Sequence, residues 1–262
     1  VVLYNRPLSA RQGGDTRGLE SDAGILREVA AVEAALAELG VPYRAAGVSS
    51  LPEAGRALSD APGAVIINLV ESLAPSPADA CLVPAVCESL GNPWTGNGAQ
   101  CQLMALDKWQ SKCVLRACGV PVPEAVVVPT GGKIPDALPA SGPVIVKPLR
   151  ADASEGIDAA SVVDGADRER LRARIARVHR VFNQPALVER FVDGREFNVS
   201  LLETNGEVRV LPLAEIDFGA FPRGRPRIVD YRAKWIEDSF EFAATPRRIP
   251  AEPPPGMSLL HL

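Results

Sequence analysis

The apolar segments of this chain are joined in two different ways, and that change limits the fold more than any other feature. In the first third, strand-like runs alternate with helical spacing. Val1–Asn5 reads as a core strand. From Ser21 to Leu39 the residues Leu26, Val29, Val32, Leu36 and Leu39 recur every three or four positions, the spacing of an amphipathic helix. Ser21 or Asp22 is placed to cap that helix, and Gly40 with Pro42 stops it. Ala64–Val70 suits a buried parallel strand, helical spacing returns over Cys81–Leu90, and Pro93–Thr95 reads as another strand. Later the pattern changes. After a helix at 99–118, strands at Val126–Val128 and Val144–Lys147 and a helix at Asp167–Val181, three runs follow: Ala186–Val192, Phe197–Glu203 and Val208–Asp217. The turn signals Asp193-Gly194 and Asn205-Gly206 separate them.

Alternation followed by hairpins gives an α/β fold whose second half is α+β. A small open parallel-sheet domain is expected at 1–98, and a second domain at 99–262.

Apolar residues make up 47% of the 262 and charged residues 23%, the balance of a chain that buries a core. A net charge of −4 argues against nucleic-acid binding driven by bulk charge. No apolar run reaches the roughly 18 residues of a membrane span, and no basic-then-apolar leader opens the chain. The expectation is no membrane and a cytoplasmic location. The five cysteines form no CxxC pair and have only two histidines to assist them, so free buried thiols are expected and a zinc site is not.

Several segments carry chemistry. Val144-Ile-Val-Lys-Pro148 ends an apolar strand on Lys147, and the small-residue loop Asp152-Ala-Ser-Glu-Gly156 follows. A cation beside a loop rich in backbone N–H groups suits a triphosphate. Lys108 sits in the 99–118 helix. Leu187–Val192 followed by Asp193-Gly-Arg-Glu196 sets Glu189 and Glu196 on either side of a turn. The strand's backbone can face an adenine edge, and Glu196, an acceptor when ionised, can take bonds from ribose hydroxyls. Asp230-Tyr-Arg-Ala-Lys234 closes a loop rich in arginine, where cations stabilise charge on a transferring phosphoryl group. Two other motifs fail. Gly96-Asn-Gly-Ala-Gln-Cys101 starts like a dinucleotide fingerprint but has Cys101 where the third glycine belongs. The arginines of 168–180 alternate with Leu171, Ile175 and Val178, so they read as the charged outer face of a helix.

Taken in order, these segments resemble the ATP-grasp superfamily, specifically ligases like D-alanine–D-alanine ligase. The matching stretches are Ile67–Ser72, Leu90–Gly96, Leu106-Asp-Lys108, Cys118–Pro123, Val146-Lys-Pro148, Val188-Glu-Arg-Phe191, Gly194-Arg-Glu196 and Asp230–Lys234. The resemblance implies an ATP- and Mg²⁺-dependent carboxylate–amine ligase. In that reaction ATP phosphorylates a substrate carboxylate, and an amine attacks the acyl phosphate. It implies phosphate contacts for Lys108 and Lys147, an adenine border at Glu189, Arg190, Phe191 and Val192, and a ribose contact at Glu196. Lys234 would reach the γ-phosphate, and the loop at Ser154 and Gly156 would close over the site. The substrates implied are amino acids or related carboxylates, and a homodimer is common among relatives.

The chain departs from the pattern in three places. Gly13-Gly-Asp-Thr-Arg17 lacks the Ser-x-Glu that follows the family's Gly-Gly-x start, with Glu20 or Asp22 as the nearest substitutes. Ala153 stands where the family has a loop serine, and Trp235 where it has the partner tyrosine. The Arg-x-Asp and Glu-x-Asn segments that supply magnesium ligands have no counterpart after Ala251. The expectation is an ATP-grasp domain cut short, no metal ligand within these residues, and little or no turnover by this form. The alternative is a nucleotide-binding or interaction module without catalysis.

Overall fold

The computed structural model describes residues 1–7, 19–135 and 142–254, with side chains from residue 24 onward in the first long helix. The Gly13–Arg17 segment, the Glu20 and Asp22 side chains and Gly256 lie outside this description. By internal contacts the chain divides into two units, Val1–Val122 with Leu149–Ala153, and Pro123–Pro148 with Ser154–Leu262. The sequence reading set the boundary at residue 98. The helices after Gly98 pack with the N-terminal unit instead.

The first unit runs β1 (Val2–Asn5), α1 (Leu19–Glu38), β2 (Ala45–Val48), α2 (Leu51–Ser59), β3 (Ile67–Leu69), a 3₁₀ turn at Pro77–Leu82, α3 (Val83–Leu90), α4 (Ala99–Leu106) and α5 (Lys108–Ala117). Its described strands form a parallel sheet in the order β2-β1-β3, with Val2 opposite Ala45 on one side and Ile67 on the other. Successive side chains of a strand point to opposite faces, and β1 uses both. Val2 packs with Ile25 and Val29 of α1, while Leu3 joins Val48, Ala54, Leu58 and Val83 on the other side. Burial on both faces is the expected state of a parallel sheet with helical crossovers.

The helical stripe of α1 is shifted from the one the spacing suggested. Ile25 and Val29 are buried, whereas Leu26 and Leu39 are exposed. Ser21 and Asp22 fall inside α1, which starts at Leu19, so neither is its cap. The single helix expected at 99–118 is two helices. Asp107 leaves helical geometry (φ −90°, ψ 103°) and caps α5 by accepting from Trp109 N–H and Gln110 N–H.

The second unit runs β4 (Ala125–Val128), β5 (Pro143–Pro148), a 3₁₀ turn at Ala159–Ser161, β6 (Val162–Asp164), α6 (Arg168–Phe182), β7 (Ala186–Arg190), β8 (Glu196–Asn198), β9 (Leu201–Thr204), β10 (Glu207–Val210), β11 (Ala214–Ile216), α7 (Tyr231–Trp235), α8 (Phe240–Ala243) and β12 (Arg247–Arg248). An antiparallel sheet orders β4-β7-β5-β6. Leu171, Ile175 and Val178 of α6 cover one face of it, against Val144 and Val146 of β5 and Ala186 and Val188 of β7. The two long runs read as single strands each break in two, so that β8 pairs with β11 and β9 with β10. Asn205 and Gly206, both at positive φ, form the two-residue turn between β9 and β10, as Asn-Gly predicts. Asp193-Gly194 instead links strands of different sheets.

The cysteines also depart from expectation. Cys81 and Cys87 are buried and their thiol pKa values are raised by burial, but Cys101, Cys113 and Cys118 are exposed. Among the described residues no helix is long and apolar enough to cross a membrane.

Candidate functional site

Pleat geometry decides where Lys147 points. Val144 and Val146 face α6, so Lys147, next along β5, faces the opposite side of the sheet. On β7 the same alternation sends Ala186 and Val188 toward α6 and Glu189 away from it. The register sets Glu189 opposite Ile145, diagonally across from Lys147 and within reach of a long side chain. The Lys147 ammonium donates to Glu189 at 2.5 Å, with 24% and 8% of the two side chains exposed. Glu189, assigned to the adenine border by resemblance, therefore also holds the phosphate-binding lysine candidate in place.

Glu196, on β8, belongs to the same electrostatic neighbourhood. It is an exposed residue, yet loss of hydration is the largest influence on its carboxyl and raises its pKa. Lys234 and then Lys147 pull it back toward ionisation. Glu196 thus lies within electrostatic reach of two lysines from other elements.

Lys234 lies on α7, whose N-cap is the buried Asp230. Its carboxylate accepts from Ala233 N–H at 2.9 Å. Burial raises the Asp230 pKa, and Glu241 and Asp158 push the same way against the Ala233 N–H and Arg225. Glu241 takes Arg225 and Arg232 as partners. Three arginines of this loop are tied to acids: Arg225 and Arg232 to Glu241, and Arg227 to Asp193.

The loop at Ser154 and Gly156 is firmly held. Ser154, at φ 59°, donates from its hydroxyl to the Val229 carbonyl at 2.8 Å, and Tyr231 N–H reaches Ile157 O. Gly156 has φ 72°, and a Cβ there would lie 2.6 Å from the Phe182 ring and 2.9 Å from Pro148 Cγ. Only glycine fits.

The expected adenine border is less open than the sequence suggested. Arg190 N–H bonds to Glu124 O and Phe191 N–H to Pro143 O, so sheet pairing takes both donors. Val192 is 55% exposed.

In the first unit, Lys108 opens α5. Its backbone N–H reaches Leu149 O and its ammonium donates to the Ala151 carbonyl. Arg150 donates to Asp107 at 2.8 Å. Lys108 and its cap therefore grip the segment that follows Pro148.

Two contributors escaped the sequence reading. Arg174 is buried and binds Asp158, Gly156 and Ser161. Its position between Leu171 and Val178, on the apolar stripe of α6, was the available signal. Asp107 was read only as a neighbour of Lys108, although an aspartate before a helix-forming run is a capping signal.

Among the described residues no group of three or more His, Cys, Asp or Glu side chains is arranged to hold a metal ion.

Residues 132–252 match the family model described as D-ala D-ala ligase C-terminus. Over this segment the chain is D-alanine–D-alanine ligase-like. A D-alanine–D-alanine ligase of Acidiphilium cryptum is 32% identical over 176 residues, 67% of this chain and 51% of the relative. One of Chromohalobacter salexigens is 35% identical over 156 residues, 59% of this chain and 45% of the relative. The chain thus spans about half the length of these curated relatives. The crystal structure of the Bacillus anthracis D-alanine–D-alanine ligase complexed with ATP shares the fold, with a TM-score of 0.60 at 16% identity over 96% of this chain and 70% of that one. The ligase-like match contains Lys147, Ser154, Gly156, Glu189, Glu196 and Lys234, while Lys108 precedes it.

Proposed function

We propose that this chain serves an ATP-dependent carboxylate–amine ligase reaction of the D-alanine–D-alanine ligase kind, on amino-acid or related carboxylate substrates. The observation that carries the reading is the grouping of Lys147, Glu189, Glu196 and Lys234 in one unit of an ATP-grasp fold. Lys147 and Lys234 bring positive charge to the phosphates, and that charge counts for more as negative charge builds on the transferring phosphoryl group. Glu196 accepts from ribose hydroxyls. Glu189 keeps the Lys147 ammonium aimed, and the Ser154–Gly156 backbone closes on the anion. The substrate carboxylate takes the γ-phosphoryl group, and the amine then displaces phosphate to leave an amide.

Calorimetric titration with ATP tests the nucleotide half. The wild-type chain should bind, and Lys147→Ala should weaken binding at least tenfold. Phosphate release with ATP, Mg²⁺ and D-alanine tests the chemistry. ATP binding without release above the Lys147→Ala background would favour the second reading, a nucleotide-binding module.

A further inference from the structure

We infer that Arg174 is a positioning residue that latches the Ser154–Ser161 loop in its phosphate-covering shape, an inference that rests on the ligase reading. Arg174 comes from the middle of α6, yet its guanidinium grips three different kinds of acceptor on the loop. Nη1 donates to Asp158 Oδ2 at 3.0 Å, and Nη2 donates to Gly156 O at 2.7 Å and to the Ser161 hydroxyl. The turn closes on itself around these points, since Asp158 N–H reaches Ser161 Oγ and Ser161 N–H reaches Asp158 O. The planar fork of arginine makes this geometry available and the point charge of lysine does not.

The arrangement is poor as a source of stability. Arg174 Nε and Asp158 Oδ1 are buried without hydrogen-bond partners, and the Asp158 side chain is 42% exposed, so its pairing with Arg174 is partly screened by water. The latch fixes conformation instead. It holds the carbonyl of Gly156, which stands at positive φ against Phe182 and Pro148, and from there the order extends to Ser154, also at positive φ. Those are the residues whose backbone faces the phosphates in the proposed function. The strain of a left-handed serine persists only where the surroundings over-determine it; the Val229 carbonyl holds the Ser154 hydroxyl directly, and Arg174 holds the Gly156 carbonyl two residues on.

The test uses the 262-residue chain as wild type, Arg174→Met, Arg174→Lys and, should Arg174→Met fail to fold, Asp158→Ala. Hydrogen exchange reports on the latch directly. Amides of residues 157–161 should exchange at least tenfold faster in Arg174→Met, with the sheet amides of β5 and β7 unchanged. Titrations with ATP and with adenosine then separate loop from fold. Arg174→Met should lose ATP affinity about tenfold, keep adenosine affinity within twofold, and be partly rescued in Arg174→Lys. Unchanged exchange at 157–161, or equal losses for ATP and adenosine, would overturn the inference. A wild-type chain that ignores ATP while Arg174→Met still loosens the loop would overturn the ligase reading and the phosphate role together, leaving only a structural clamp.

Discussion

Asp107 in the first unit and Asp230 in the second are built from the same local device, yet their carboxyls shift in opposite directions. Both are buried, both cap a helix, and both helices carry a lysine assigned to phosphate, Lys108 in α5 and Lys234 in α7. Burial pushes each carboxyl up. At Asp107 the push is outweighed by Gln110 N–H, the Arg150 guanidinium and Trp109 N–H, and the pKa ends below the ordinary aspartate value. At Asp230 the Ala233 N–H and Arg225 pull down, but Glu241 and Asp158 add to burial, and the pKa ends above it. A cap is thus a geometric fact, while its charge state depends on what the fold brings alongside. The Asp107 carboxyl, which precedes Lys108 in the chain, is held toward its ionised form. The Asp230 carboxyl, at the head of the helix that carries Lys234, is pushed toward its protonated form.

The comparison is broken most severely at the better-held end. Asp107→Ala removes two backbone acceptor bonds and the Arg150 pairing from a buried position. It should lower unfolding free energy by about 2–3 kcal/mol, combining a lost cap with a lost charge-assisted bond. Because the native pKa is depressed, the carboxylate's contribution is present above about pH 3.9 and is lost as pH falls through the native value. Urea unfolding at pH 7 and pH 3 should therefore show the wild-type advantage shrinking in acid. A constant difference across that range would mean the carboxylate contributes by shape alone.

Arg150→Met sharpens the comparison by removing one pull on Asp107. About half of the Arg150 side chain is exposed, so the loss should be modest, about 1 kcal/mol or less. The informative change is in titration. With Gln110 N–H and Trp109 N–H still in place, the Asp107 carboxyl should move upward, toward the behaviour of Asp230, as ¹³C chemical shifts across an acid titration would reveal. No movement would assign the depressed pKa wholly to the helix N–H groups.

The contrast also explains what was legible in the sequence. The switch from alternating strands and helices to hairpins, the strand that carries Lys147 and the Asn205-Gly206 turn all follow from local pattern and are in the fold, with that strand running one residue further, to Pro148. The break at Asp107 was hidden because apolar spacing continues on both sides of it, and the stripe of α1 was misplaced because Leu26 and Ile25 fit a helical period equally well. The Lys147–Glu189 pair needed the β5–β7 register, which links positions 42 residues apart. Arg174 was read as solvated because arginines surround it. Position on the apolar stripe outweighs residue type there, but only the partners on the loop show why an arginine is tolerated.

Asp230→Asn carries the smallest stability effect and the sharpest consequence. Asparagine caps a helix about as well as aspartate, so α7 should persist. The native pKa of Asp230 is raised, so its contribution is fully present below about pH 3.9 and is lost as pH rises through the native value. At neutral pH the charged form is carried at a cost, and removing the charge should leave stability equal or higher, by about 1 kcal/mol or less. Thermal midpoints of wild type and variant should converge in acid and separate toward neutrality, with the variant above. If Asp230→Asn is instead less stable at pH 7 and the gap closes in acid, the carboxylate is paired as securely as Asp107. The helix that carries Lys234 would then be capped by a fixed negative charge rather than by one that burial works to neutralise.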